Sequence, residues 1–293
     1  MAVPGASVGP GPKPAATSSS HPPGNARGCG GLDCRLYDSP AKALSAVLAE
    51  KPLVLAVGET HAQQGSEGVE SATKRFTEQL LPELKGRASD LLLELWLGNS
   101  RCQKQVKKVA KKQKVVTKHQ AKSDQNEFIA LGTAAKHLGI QPHALRPSCK
   151  EYDKILKAGP NDVEQMLDMI ARLTGNDLLT LAKRNEKDGK DAKLVIAYGG
   201  AMHNDLYPRK GLEQWSFGKR VDEATGGHYA ALDLIVPEFV KDTKAWRSLA
   251  WYPYFKRGQY PGKTRLYHPG KGSWVLVFPA GNAAPAPADA ARK

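Results

Sequence analysis

Long apolar runs are missing from this chain. No stretch approaches the roughly 20 consecutive apolar residues that a membrane-spanning helix needs, so no transmembrane segment is expected. The apolar centre of a signal peptide is missing too, although a Gly/Pro/Ser-rich start of this kind is what a mature secreted or lipid-anchored chain shows once its leader is removed. An extracytoplasmic location is the expectation, with a cytoplasmic one left open. Cysteine is scarce, and Cys29, Cys34, Cys102 and Cys149 do not have the spacing of a zinc site. Acids are outnumbered, 29 against 43 Lys and Arg, for a formal charge of +14. Aromatic residues make up 7% of the chain and none falls in its most basic stretch. No specific nucleic-acid partner is therefore expected, because base stacking needs aromatics interleaved with the cations.

The apolar share, 41% of 293 residues, is enough for a sizeable core. Residues 1–33 and 281–293 consist largely of Pro, Gly, Ser and Ala, too poor in large side chains to offset the entropy of ordering. They read as disordered tails around a single α/β domain over 34–280.

Within that domain, two apolar runs end in the same way. Leu53–Val57 leads into Gly58-Glu59-Thr60-His61, and Leu194–Tyr198 into Gly199-Gly200-Ala201-Met202-His203. A short β-branched and leucine-rich run that stops at glycine reads as a buried parallel strand leaving its sheet through a tight turn. The histidine then stands at the strand's carboxyl end, where open α/β sheets place their ligands. Asp90–Trp96 and Ile140–Arg146 are further strands, Tyr229–Val236 and Ser273–Phe278 two more. Helical spacing over Ser66–Leu84 and Asp162–Leu181 fills the intervals. Alternating strands and helices predict a mostly parallel central sheet flanked by helices on both faces. In such a sheet His61, His203, Glu94 and Arg146 gather along one edge.

Imidazole and carboxylate in that pattern suit two kinds of chemistry. They can ligate a divalent transition metal such as Mn, Co or Zn, whose bound water becomes a nucleophile near neutral pH. The candidate ligands are His61, His203, Glu59 and Glu94. Without a metal, one histidine can act as general base for water attack on an ester, with Glu59 or Glu94 orienting it. Arg146 suits a substrate carboxylate or a developing oxyanion.

The paired G-x-x-H motifs, with Glu94 on the second strand and Arg146 between the histidines, resemble the superfamily of erythromycin esterases, ChaN-type haem-binding lipoproteins and TraB/Tiki proteins. The likeness spans roughly Leu53 to His203. Its characteristic positions fall on Gly58, Glu59, His61, Glu94, Gly200 and His203, with Arg146 matched by its place at a strand end. Ala62 stands where the ChaN-type version commonly carries an aspartate. The resemblance implies hydrolysis of an ester, lactone or peptide bond in a small-molecule or peptide substrate. Its ChaN branch implies the alternative of haem or iron bound without catalysis.

Four cysteines allow three pairings. The favoured one joins Cys29 to Cys34 and Cys102 to Cys149, since the latter two follow neighbouring strands; four reduced thiols are the alternative. Residues 99–122 hold nine Lys or Arg and no acid. Val106, Val109, Ala110 and Val116 there form a narrow stripe, so the segment reads as a basic helical insertion able to meet an anionic surface. The aromatic group Trp246, Trp251, Tyr252, Tyr254 and Phe255 reads as cover for a core, with a pocket cap as the alternative. His143 lies near the ligand edge but is left outside the site.

Overall fold

The computed structural model describes residues 28–66, 68–117, 120–121 and 124–281. Most of both expected tails lies outside these residues, as do Lys118, His119, Lys122 and the side chain of Val116. Eight strands form one sheet: β1 (Arg35–Tyr37), β2 (Val54–Glu59), β3 (Ala88–Trp96), β4 (Gln141–Leu145), β5 (Leu194–Gly200), β6 (Tyr229–Ile235), β7 (Thr264–Gly270) and β8 (Ser273–Val277). Their order is β1-β7-β8-β6-β2-β5-β3-β4. The sheet is mostly parallel: β2 pairs in parallel with β5 and β6, β3 with β5 and β4, and β6 with β8. Only β7 runs against its neighbours β1 and β8.

Hydrophobic patterning explains the order. β2 is buried at every position, as a strand with parallel neighbours on both sides must be. β4 contains Pro142, which has no N–H for a second neighbour, and it stands at the sheet edge. β1 and β7 are strands that the apolar pattern does not announce. β1 has 3 residues, and β7 opens with buried Thr264 and Arg265.

Nine α-helical segments accompany the sheet among the described residues: α1 (Pro40–Leu48), α2 (Ala72–Arg75), α3 (Gln103–Val116), α4 (Asp124–His137), α5 (Cys149–Lys157), α6 (Asp162–Glu186), α7 (Ala201–Asn204), α8 (Gly218–Ala224) and α9 (Lys244–Arg247). The helix expected from Ser66 begins at Ala72, because the Ser71 side chain caps it by accepting the Lys74 N–H; it continues as tighter and wider turns to Leu84. Alternate residues of β2 enter different apolar clusters. Leu55 and Val57 pack with residues of α1, α2 and α4. Val54 and Ala56 pack with residues of α6 and α8. No helix is long and apolar enough to cross a membrane among the described residues.

Both favoured disulfides are present. Cys29–Cys34 is buried beside Trp251, Tyr267, Val275 and Val277. Residues 28–33, which the composition assigns to a tail, are thus tied to the sheet. Trp246, Tyr252 and Phe255 pack on the same cluster, while Tyr254 is exposed; this group covers a core. Cys102–Cys149 joins residues 47 apart with a Cα separation of 5.7 Å. It anchors the start of α3 to the start of α5, and Val109 of α3 packs with Tyr152 and Ile155 of α5 and Met166 and Met169 of α6. The far end of this insertion is tied down as well. The Ala121 N–H donates to the Ala62 carbonyl at 2.8 Å, and Gln63 and Gln120 form an isolated antiparallel bridge.

Replacing both Cys102 and Cys149 with serine should lower unfolding free energy by about 4 kcal/mol, the loop-entropy value for a crosslink of this span. Reversing Lys107, Lys108 and Lys111 together should cost well under about 1 kcal/mol, since all three are exposed. Urea unfolding of the two variants checks both, and the opposite ranking would show that α3 is held by its charged side.

Candidate functional site

Register decides what meets at the carboxyl edge. Gly58 pairs with Gly199 and Glu59 with Gly200 across β2 and β5, so the two G-x-x-H motifs leave the sheet side by side. Glycine is required by close approach. A Cβ on Gly58 would lie 2.6 Å from the Ala201 Cα, where α7 crosses β2, and a Cβ on Gly199 would lie 2.8 Å from the Glu94 Cβ.

Gly200 marks the meeting point. A Cβ there would stand 3.5 Å from His61 Nε2, 3.6 Å from Glu94 Oε2 and 3.9 Å from His203 Cδ2. The first and last of these distances together are the most that can separate the two ring atoms. His61 and His203 therefore face the same small space, with Glu94 between them.

Each histidine is oriented from behind. His61 Nδ1 lies 2.8 Å from Glu59 Oε1; a carboxylate only accepts, so Nδ1 carries the proton and Nε2 keeps its lone pair in the neutral ring. His203 Nδ1 lies 2.7 Å from the Trp215 carbonyl, which sets the same tautomer. Its Nε2 lies 3.8 Å from Glu94 Oε1, while Glu94 Oε2 accepts the Gly200 N–H at 2.7 Å. His203 is buried, whereas the His61 side chain keeps a quarter of its surface open.

Glu59 is 4% exposed and both its oxygens are engaged. Besides His61 it accepts the Thr73 hydroxyl at 2.9 Å and the Tyr198 hydroxyl at 3.2 Å. Burial, and then the Glu59 charge, hold the Tyr198 phenol well above its usual pKa, so it stays a donor. Phe128 of α4 packs on both rings, 6.2 Å from His61 and 5.5 Å from Tyr198. Thr73 and Tyr198 escape a motif reading, since one lies in the helix after the first motif and the other reads as the last residue of an apolar run.

Arg146 is not brought to this cluster. It is exposed beyond β4, the outermost strand, and makes no hydrogen bond or ion pair with the two histidines or two glutamates among the described residues. His143 belongs elsewhere too: its Nε2 lies 2.7 Å from Asp90 Oδ1, and Arg184 pairs with the same carboxylate. Burial alone would raise the Asp90 carboxyl, but hydrogen bonds from Ser89, His143 and Arg184 outweigh it and lower the pKa.

A narrow crevice of about 10 Å³ lies here, lined by Glu94, Gly200, His203, Ile170, Thr174 and Phe217. Among the described residues, no three His, Cys, Asp or Glu side chains form a group that could hold a metal ion. Glu59, one of the four expected ligands, is committed to orienting His61. Comparison with protein-family models, curated proteins and solved structures finds no match.

Asp233 of β6, paired in register with Gly58, is a further carboxyl beside these residues. Burial pushes it from the ordinary 3.8 up to about 7, the Asp205 charge adds to this, and the Asn204 amide, 3.3 Å away, opposes it. A carboxyl that holds its proton more tightly folded than unfolded favours the fold at low pH. That contribution should be lost as pH rises from about 4 to about 7. Asp233→Asn should flatten this fall in denaturant midpoint; an unchanged slope would show that Asp233 does not titrate there.

Proposed function

We propose that this chain is a hydrolase of ester, lactone or peptide bonds acting on a small-molecule or peptide substrate, with His61 and His203 as its paired acid–base groups. The observation that carries this reading is their convergence with Glu94 on Gly200, each ring having its Nδ1 committed to a partner behind it. It agrees with the resemblance to the erythromycin esterase and Tiki branches.

Chemically, His61 is the better placed base. Its Nε2 is turned toward Gly200 and its side chain keeps a quarter of its surface open, and the buried Glu59 beneath it stabilises the imidazolium formed when a water gives up its proton. Glu59 is held in turn by Thr73 and Tyr198, so the ring cannot swing away without breaking hydrogen bonds at a buried carboxylate. In its imidazolium form, facing the Glu94 carboxylate and still donating Nδ1–H to the Trp215 carbonyl, His203 passes its Nε2 proton to the departing oxygen or nitrogen and is left as the neutral ring. Glu94 has a second task, because its bond to the Gly200 N–H fixes the turn on which both motifs depend.

The two Nε2 atoms and a Glu94 oxygen are donors of the right chemistry for a divalent Mn, Co or Zn ion, with Glu59 and the Trp215 carbonyl as the outer partners that ligating histidines use, but the three side chains are not gathered into a metal-holding group and would have to draw together to hold one. When bound, such an ion would acidify a water. Arg146 enters this reading only through the family pattern, as a group that a substrate could reach from the rim. The finer architecture belongs to it also: helices on both faces of the sheet, supported by the division of β2 side chains between two clusters. Two disulfides favour an oxidising, extracytoplasmic compartment.

The test is a panel of aryl esters, lactones and short peptides with and without added Mn, Co or Zn. His61→Ala and His203→Ala should each lower kcat/KM by about 100-fold to 10,000-fold, the usual range for a positioned acid or base. Combining them should cost little more, since groups acting as a unit are not additive. Glu59→Gln should lower kcat more than it raises KM. Two histidine variants as active as the parent would end the proposal, and a Soret band on adding haem to an inactive parent would favour the haem-binding alternative.

A further inference from the structure

We propose that α3 is a docking surface for an anionic lipid bilayer, independent of what the cleft hydrolyses. Lys104, Lys107, Lys108, Lys111 and Lys114 project from it into solvent. None of them makes an ion pair among the described residues; the one α3 lysine that does is Lys112, 2.5 Å from Asp162 of α6. Neighbouring α5 adds Lys150, Lys154 and Lys157 on the side away from its buried Tyr152 and Ile155, also without ion pairs among the described residues.

This arrangement works against the helix that carries it. Lys104 and Lys108, and Lys107 and Lys111, are like charges one turn apart, which destabilise a helix. Lys104 also lies in the first turn, where the macrodipole disfavours a cation. The helix is held nonetheless, by the Cys102–Cys149 crosslink and by Val109, which is fully buried. A fold that crosslinks and packs a helix while leaving five like charges unanswered presents those charges to something outside itself.

The chemistry of that partner follows from what the stripe contains. Every cation on α3 is lysine, a compact hydrated charge suited to headgroups; the planar fork of arginine, which reads bases, is missing from it. No aromatic residue is present to stack on a base. The apolar side of α3 faces α5 and α6, so the helix cannot insert into acyl chains. Attachment would be electrostatic adsorption at the headgroup level. Because α3 begins a short loop beyond β3, the strand that bears Glu94, docking would bring the cleft's edge of the sheet toward the bilayer.

Sedimentation with phosphatidylserine/phosphatidylcholine vesicles tests this on the full chain. The protein should pellet with them, should ignore pure phosphatidylcholine, and should be released as salt is raised. Lys107→Gln, Lys108→Gln and Lys111→Gln together should weaken binding by roughly a hundredfold, at about fivefold per lysine. Circular dichroism checks that the variant folds, and Lys104→Gln with Lys114→Gln is a second, milder variant expected to lose roughly tenfold or more on the same scale. Failure of the parent to bind, binding that survives both variants, or duplex DNA captured in preference to the vesicles would each overturn the proposal.

Discussion

The site depends on the parallel pairing of β2 with β5 in one register. Gly58 lies against Gly199 and Glu59 against Gly200. Shifting a strand by one residue turns every side chain to the other face, which would send Glu59 into the opposite cluster and part His61 from Glu94. The register is enforced below the chemistry, by Val54–Ala56 and Leu194–Ile196, whose alternate side chains are buried in different clusters. Apolar packing at one end of the strands thus sets polar geometry at the other.

Glu59 joins the two scales. A buried carboxylate is costly unless its oxygens are met, and here both are met by three donors from three parts of the chain: His61 from the turn, Thr73 from α2 and Tyr198 from β5. Burial, which would otherwise oppose the charge, makes the residue a rigid anchor for the His61 ring. Glu94 is less enclosed and is held by a backbone N–H and the edge of His203. The two acids divide the work of orientation and of lining the cleft.

Much of this could be read from the sequence, since two of its strands are short apolar runs ending in glycine and each histidine sits three residues beyond such a glycine, Gly58 or Gly200. What could not be read was carried by weaker patterns. β7 has charge and proline within it, and β1 is too short to show a period. Arg146 ends a strand as expected, but that strand is the outermost, and linear spacing does not reveal sheet order. Thr73 and Tyr198 serve the site through hydroxyls that motif spacing does not mark. Asp233 did leave a trace: it is the single carboxyl side chain inside the apolar run Tyr229–Ile235, and an acid in such a strand needs a partner or a proton. The Cys102–Cys149 pairing was visible because both residues follow adjacent strands on one edge.

The main-chain tie between Ala62 and Ala121 makes the residue after His61 part of the same mechanical unit as the insertion. The insertion is therefore clamped at two points, covalently at Cys102 and by backbone pairing at Ala121. The backbone that carries the His61 ring is thus tied to the insertion on one side and, through the ring, to the buried Glu59 on the other.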